Sequence, residues 1–172
     1  MKTSFLIINT NFLYTDDKKS LTRCHISVNL NEKGKEMEKI IVKGNDTESK
    51  ILVGESLQNL KEYISNRKVF IVTDKNVFHL YGDRFQQYPF FVIGTGEGIK
   101  NLTTVEEIIG RLIEYEMDRH SLLIGIGGGI VTDITGFAAS IYMRGISFGS
   151  VSTTLLAQVD AGVGGKTGVN YR

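Results

Sequence analysis

Three consecutive glycines at positions 127–129 separate a run of aliphatic residues from a segment with helical periodicity. In LIGIGGGIVTDITGF (123–137), the pattern predicts a buried strand that ends at the glycines and a helix that begins near Ile130. The first backbone amides of such a helix have no acceptor within it, so they can bind an anion such as a nucleotide diphosphate. A tight, closely packed turn without a ligand is the alternative. The spacing does not support a dinucleotide fingerprint G-x-G-x-x-G, whose last glycine would fall on Ile130 or Thr132.

A second glycine-rich segment, VDAGVGGKTGVN (159–170), has the composition of a phosphate-binding P-loop but not its spacing. The first glycine of that motif would fall on Asp160. Asp160 and Lys166 nevertheless flank flexible main chain, where an ammonium group could bind phosphate or carboxylate and a carboxylate could accept hydroxyl groups. A surface loop with solvated charges is the alternative interpretation.

Two acidic positions follow predicted strands, where an open α/β sheet has its ligand crevice. In GTGEGIKN (94–101), Glu97 and Lys100 are three residues apart and could bind ribose hydroxyls, or they could be solvated charges before a helix. Asp74, in VTDKNV, allows either a ribose contact or a helix N-cap.

Short β-rich runs alternate with segments of helical period from residue 38 onward. The predicted strands are KIIVKG, KILVG, KVFIVTD (68–74), PFFVIG (89–94), SLLIGIG (121–127) and ISFGSVS (146–152). The last four lack strict alternation, which is typical of strands covered on both faces. Helices are predicted over SLQNLKEYI (56–64) and residues 102–113, the second with a capping box from Thr103 to Glu106 and an ion pair between Glu107 and Arg111. The pattern predicts a doubly wound, mostly parallel α/β sheet with flanking helices.

Composition sets limits on partners and on metal binding. The chain has 172 residues, 41% of them hydrophobic, with a net charge of +1, so neither nucleic acid nor an anionic membrane surface is favoured as a partner. No run approaches the apolar length of a membrane helix, and no signal peptide is predicted. The single cysteine, Cys24, excludes an intrachain disulfide and is consistent with a reducing cytoplasm. His25, His79 and His120 lack ligand spacing, so no metal site is predicted.

Residues 1–36 show no sustained helical or strand period. We therefore expect an extension of uncertain order there, with the first strand opening after Met37 and a single α/β domain over residues 37–172.

Taken together, these motifs resemble a known family. GGGIVTDITGFAASIYMRG followed by VSTTLLAQVDAGVGGKTGVN is similar to 3-dehydroquinate synthase, a sugar-phosphate cyclase, and upstream VTDKNV and GEGIKN have that family's order. The resemblance implies a Rossmann-like NAD-binding N-terminal domain. It also implies conversion of 3-deoxy-arabino-heptulosonate 7-phosphate to 3-dehydroquinate and phosphate, in the shikimate pathway that leads to chorismate and the aromatic amino acids. Iron-type polyol dehydrogenases share the triple glycine, but MRG, TTLLAQVD and GGKTGVN favour the synthase. Another sugar-phosphate cyclase and a non-catalytic NAD-binding module remain alternatives.

The resemblance assigns roles to individual residues. It implies that Arg144, Asp160 and Lys166 bind the substrate and that Asp160 and Lys166 are also catalytic. The arginine would act across the interface of a homodimer. The implied NAD-binding residues are Asp74, Glu97, Gly98, Lys100, Gly127, Gly128, Gly129, Asp133, Thr153, Thr154 and Lys166. Thr95 departs from the residue that family members often carry before the GE pair. The family's zinc or cobalt ligands belong to a helical C-terminal domain that is absent from these 172 residues, so a chain of this extent is expected to be inactive.

Overall fold

The computed structural model describes residues 3–8, 37–43, 48–163 and 166–171. Over these ranges the chain forms a seven-stranded sheet with helices on both faces. The strands are Thr3–Ile8 (β1), Glu38–Lys43 (β2), Glu48–Val53 (β3), Val69–Asp74 (β4), Phe90–Ile93 (β5), Leu122–Gly127 (β6) and Ser147–Ser152 (β7). The α-helices are Leu60–Ile64 (α1), Lys75–Tyr81 (α2), Leu102–Glu114 (α3) and Gly129–Ile141 (α4).

The strand order is β2-β3-β1-β7-β6-β4-β5. Neighbouring strands are parallel except β2 and β3, which are antiparallel. The predicted doubly wound, mostly parallel α/β sheet is therefore confirmed, as are all six predicted strands.

The prediction that the first strand opens after Met37 is wrong. Thr3–Ile8 forms β1, which pairs with β3 on one side and with β7 on the other, in the interior of the sheet. Six residues flanked by polar sequence give too short a signal for a periodicity argument, and the pairing partners are distant in sequence. The rest of the segment predicted to be an extension, residues 9–36, lies outside the described residues.

Two apolar clusters cover the two faces of the sheet. Along β4, Val69 and Ile71 belong to the first cluster whereas Phe70 and Val72 belong to the second, as the strand period of two requires. The first cluster includes residues of α1 and α2, and the second includes residues of α3 and α4. All four of these β4 residues are at most 5% exposed, which explains why the sequence shows no polar alternation.

The start of α3 differs from the prediction. Asn101 is the N-cap, and its side chain accepts a hydrogen bond of 3.0 Å from the Thr104 amide, so the predicted capping box from Thr103 is wrong. Arg111 forms its ion pair with Glu114, at 2.8 Å, rather than with Glu107.

The chain reverses its direction of winding between two adjacent strands. After β4 it enters α2 on one face and continues to β5, whereas after β6 it enters α4 on the other face and continues to β7. Parallel sheets bind ligands in the crevice that opens at the carboxyl ends of such strands. The strand order therefore predicts a ligand crevice at the carboxyl ends of β4 and β6.

Candidate functional site

The glycine turn lies at this crevice. Strand β6 ends at Gly127, and Gly128 is the N-cap of α4. Because glycine has no side chain, this N-cap accepts no side-chain hydrogen bond from the first amides of the helix. The first amide that bonds back into the helix is that of Thr132, which donates to the Gly128 carbonyl at 3.1 Å. Residues 128–130 are only partly buried, so the turn is accessible to a ligand. The amides that precede Thr132 can therefore bind an anion, and the helix dipole favours negative charge there.

Packing also requires some of these glycines. A Cβ atom on Gly127 would lie 2.5 Å from Val131 Cγ2, and one on Gly125 would lie 2.8 Å from Thr135 Oγ1. Both positions therefore allow α4 to approach β6 closely, as the alternative interpretation of the turn expects.

Gly128 and Gly129 face the segment that follows β7. A Cβ atom on Gly128 would lie 3.2 Å from Thr154 Cγ2, and one on Gly129 would lie 3.1 Å from Ala161 Cβ. The Thr153 amide donates to the Gly127 carbonyl at 2.9 Å. The structure thus brings the predicted threonines against the glycine turn.

Residues 94–101, which we call the cofactor loop, connect β5 to α3 and contribute a lysine to the site. The Lys100 ammonium donates to Asp133 Oδ2 at 2.5 Å, and the two side chains are 20% and 16% exposed. Asp133 belongs to the second turn of α4, so the pair connects the cofactor loop to the helix that begins at the glycine turn. The interpretation of Lys100 as a solvated charge is therefore wrong.

Glu97, also in the cofactor loop, has its partner in residues 166–171, which we call the returning segment. Glu97 Oε1 accepts a hydrogen bond of 2.9 Å from the side-chain amide of Asn170. The Asn170 backbone amide donates to the Lys100 carbonyl at 2.7 Å. Asn170 was not among the predicted site residues, although it closes the GGKTGVN motif. An exposed asparagine carries no sequence signal for a partner 73 residues away.

Asp160 and Lys166 form an ion pair at the same edge of the sheet. Their side chains are 54% and 66% exposed. The hydrogen bond to Asp160 and the charge of that carboxylate raise the pKa of Lys166 above its ordinary value, and the charge of Asp133 adds to the effect. Asp160 lies on the π-helical turn Ala157–Ala161. Glycines 164 and 165, between the two charged residues, lie outside the described residues.

Asp74 is the N-cap of α2, which confirms one of its two interpretations. Its Oδ1 atom accepts from the Asn76 amide at 2.8 Å and from the Val77 amide at 3.0 Å. Both bonds use one oxygen, so Oδ2 can accept from another donor, and a ribose contact is compatible with the cap. Gly98, the remaining predicted cofactor residue, has no heavy atom of another residue within 4 Å of an added Cβ, so packing does not require a glycine there.

Arg144 lies far from the crevice within one chain. It follows α4, which starts at the carboxyl edge of the sheet and runs back for 13 residues, or about 20 Å at 1.5 Å per residue. Met143, Arg144 and Gly145 have φ angles of 46°, 67° and 96°, a left-handed corner that presents an exposed arginine. The structure therefore does not bring Arg144 together with Asp160 and Lys166 of the same chain.

Residues 3–8, 37–43, 48–163 and 166–171 provide neither a group of metal ligands nor a membrane-spanning helix. Among these residues, no group of three or more His, Cys, Asp or Glu side chains could hold a metal ion. No helix in the same ranges is long and apolar enough to cross a membrane. His79 and His120 are exposed, and His25 lies outside the described residues.

Comparison with known proteins identifies close relatives. A 3-dehydroquinate synthase from Prochlorococcus marinus (strain MIT 9312) is 43% identical over 114 residues, which cover 62% of this chain and 31% of the relative. One from Helicobacter pylori (strain G27) is 40% identical over 140 residues, which cover 78% of this chain and 40% of the relative. The chain thus spans between about a third and two fifths of the length of these relatives.

Solved structures of two related cyclases share the fold. The 2-epi-5-epi-valiolone synthase of Streptomyces hygroscopicus subsp. jinggangensis 5008, with NAD+ and Zn2+ bound, is 35% identical, with a TM-score of 0.60, over 67% of this chain and 35% of that one. A 2-deoxy-scyllo-inosose synthase complexed with carbaglucose-6-phosphate, NAD+ and Co2+ is 26% identical, with a TM-score of 0.66, over 78% of this chain and 40% of that one. Residues 90–172 match the family model described as 3-dehydroquinate synthase N-terminal. Residues 90–172 therefore carry the N-terminal domain of the 3-dehydroquinate synthase family.

Proposed function

We propose that this chain is the NAD-binding part of a 3-dehydroquinate synthase, which converts 3-deoxy-arabino-heptulosonate 7-phosphate to 3-dehydroquinate and phosphate. The observation that carries the proposal is the accessible N-terminus of α4, which has no side-chain cap and lies at the point where the sheet reverses its winding. A diphosphate fits this position because backbone amides and the helix dipole both favour negative charge.

The residues around the turn fit a dinucleotide. The amides at Gly128 and Gly129 would bind the diphosphate, with Thr153 and Thr154 completing the cradle. Asp74 and Glu97, each with one carboxylate oxygen already in a hydrogen bond, would accept the hydroxyls of the adenosine ribose through the other oxygen. When bound, NAD supplies reversible hydride transfer, which oxidises a ring hydroxyl and acidifies the neighbouring C–H bond so that phosphate can leave.

Lys100 and Asp133 would support the same site. Their ion pair connects the cofactor loop to α4 and leaves little net charge where the nucleotide would bind. The pair therefore fixes the relative position of the ribose carboxylate and the diphosphate amides.

Asp160 and Lys166 would bind the substrate. In the described structure they neutralise each other, so an anionic, polyhydroxylated substrate has to separate them. Lys166 would then bind phosphate or carboxylate while Asp160 accepts hydrogen bonds from hydroxyl groups. The ammonium group of Lys166 is charged at neutral pH with or without the Asp160 contact, which raises its pKa further.

Two parts of the proposed activity lie beyond this crevice. We propose that the enzyme is a homodimer in which Arg144 contributes to the site of the other chain, because α4 separates it from the site of its own chain. A divalent metal, zinc or cobalt, is also part of the proposed activity, and the described residues of this chain form no group of ligands for it.

Isothermal titration of the chain with NAD tests the proposal. We expect saturable binding, and we expect the Gly129→Ala substitution to weaken it at least tenfold because a methyl group obstructs the approach to the first amides. Gly110→Ala is the matched control, since it adds the same methyl group on α3 where no heavy atom lies within 4 Å. Absence of heat at millimolar NAD with the folded wild-type chain would refute the proposed cofactor site.

A second candidate is another sugar-phosphate cyclase. The solved structures of valiolone and inosose synthases support it, because both share this fold. NAD binding does not distinguish the candidates. Assaying the complete protein with 3-deoxy-arabino-heptulosonate 7-phosphate and with other sugar phosphates does, and turnover of the first substrate alone is expected.

A further inference from the structure

The returning segment crosses the site from the substrate residues to the cofactor loop. It begins at Lys166, which pairs with Asp160. Thr167 then packs where a side chain on Gly136 of α4 would lie, and Val169 packs against the second apolar cluster. These two contacts hold the segment on α4, so that Asn170 reaches the cofactor loop.

Asn170 binds two residues of the cofactor loop through different groups. Its backbone amide donates to the Lys100 carbonyl at 2.7 Å, and its side-chain amide donates to Glu97 Oε1 at 2.9 Å. The backbone bond positions the segment whatever the side chain is. The side-chain bond acts on Glu97 alone, and it is charge-assisted because the acceptor is a carboxylate.

From this geometry we infer that Asn170 is a positioning residue that acts on the cofactor through Glu97. The inference rests on the proposed NAD site. Held through Oε1, the Glu97 carboxylate presents Oε2 in one orientation and loses less side-chain freedom when it accepts a ribose hydroxyl. The same segment carries Lys166, so the cofactor carboxylate and the substrate lysine are positioned by one stretch of six residues.

Asn170→Ala tests the side-chain bond and keeps the backbone bond. The full chain, the Asn170→Ala and Glu97→Ala variants and their combination are titrated with NAD by calorimetry. Each protein is also titrated with an NAD analogue that lacks both hydroxyls of the adenosine ribose. Gln87→Ala is the matched control, because it removes another exposed amide that makes only a local bond, 3.4 Å from Nε2 to the Arg84 carbonyl. Thermal unfolding verifies that each variant is folded.

Asn170→Ala is expected to bind NAD about three- to tenfold more weakly, because NAD then has to immobilise the Glu97 side chain on binding. It should cause no further loss when Glu97 is already alanine, and little loss with the dideoxy analogue. An equal loss in the Glu97→Ala background or with both ligands would indicate a merely structural role and overturn the inference. If the wild-type chain binds NAD and Asn170→Ala binds it equally well, the inference about Asn170 is overturned but the proposed function is not. If the wild-type chain does not bind NAD, the proposed function is refuted as well.

Discussion

Gly127→Ala should destabilise the protein although its backbone conformation suits alanine. The new Cβ would lie 2.5 Å from Val131 Cγ2 and 2.6 Å from Val131 Cβ. Because the Cβ of Val131 is fixed by its backbone, no rotamer change relieves the overlap, and α4 has to move away from β6. Overpacking of this kind costs about 1 to 3 kcal/mol of the unfolding free energy. For a chain of this size the melting temperature should therefore fall by about 2 to 12 °C.

Differential scanning calorimetry without ligand measures this effect. Gly110→Ala is the control with the opposite sign, because the interior of α3 leaves the new methyl group free and alanine is the better helix former. It should raise the unfolding free energy by about 0.5 to 1 kcal/mol. If Gly127→Ala melts at the wild-type temperature, close packing against Val131 does not explain why position 127 is a glycine. The backbone around residues 127 and 131 would then adjust more easily than the structure indicates.

Three further outcomes are expected. Thr135→Val should leave the unfolding free energy, measured in urea, unchanged or raise it by up to about 1 kcal/mol, because the buried Thr135 hydroxyl has no partner among the described residues. A decrease of the unfolding free energy by more than about 1 kcal/mol would indicate that the hydroxyl has a partner. In a double-mutant cycle, the effects of Lys100→Met and Asp133→Asn on the unfolding free energy should deviate from additivity by about 0.5 to 1 kcal/mol, and strict additivity would contradict the ion pair. Burial and the hydrogen bond to Glu55 raise the pKa of Tyr63 from 10.0 to about 12, so its contribution to stability is present below pH 10 and is lost as the pH rises through 12. Urea unfolding between pH 9 and 12 should show that loss in the wild type and less of it in Tyr63→Phe.

Much of the fold could be predicted because the central strands β4 and β6 are buried on both faces. Stretches such as LLIGIG have no polar interruption, and the glycines and Asp74 mark where strands end. Thr3–Ile8 could not be recognised in this way, because its place in the sheet depends on pairing with β3 and β7 and not on any local pattern. Asn101 caps α3 two residues before the predicted Thr103, because its backbone is extended and its side chain accepts from the Thr104 amide, and neither property can be read from the sequence.

For the candidate site, the sequence indicated several residues that lie close together in the structure, but it did not indicate their contacts. Motif order identified Glu97, Lys100 and Asp133, yet Lys100 binds Asp133 and Glu97 binds Asn170. These pairings depend on how α4 and the returning segment cross the cofactor loop, which no spacing in the sequence specifies. Arg144 shows the opposite case. It follows the glycine turn and α4 closely in sequence, but the 13 residues of α4 place it at the opposite edge of the sheet.

The interior position of β1 affects how the molecule can be assembled. Phe5 and its partner Gly149 in β7 are 144 residues apart in sequence, so β1 leaves the ribosome long before β7 does. Until then β1 has one open edge, and the two parts of the sheet cannot join. Contacts between residues so distant in sequence slow folding and prolong the exposure of unpaired strands. The nascent chain should therefore depend on chaperones more than a domain of equal size with local pairing does.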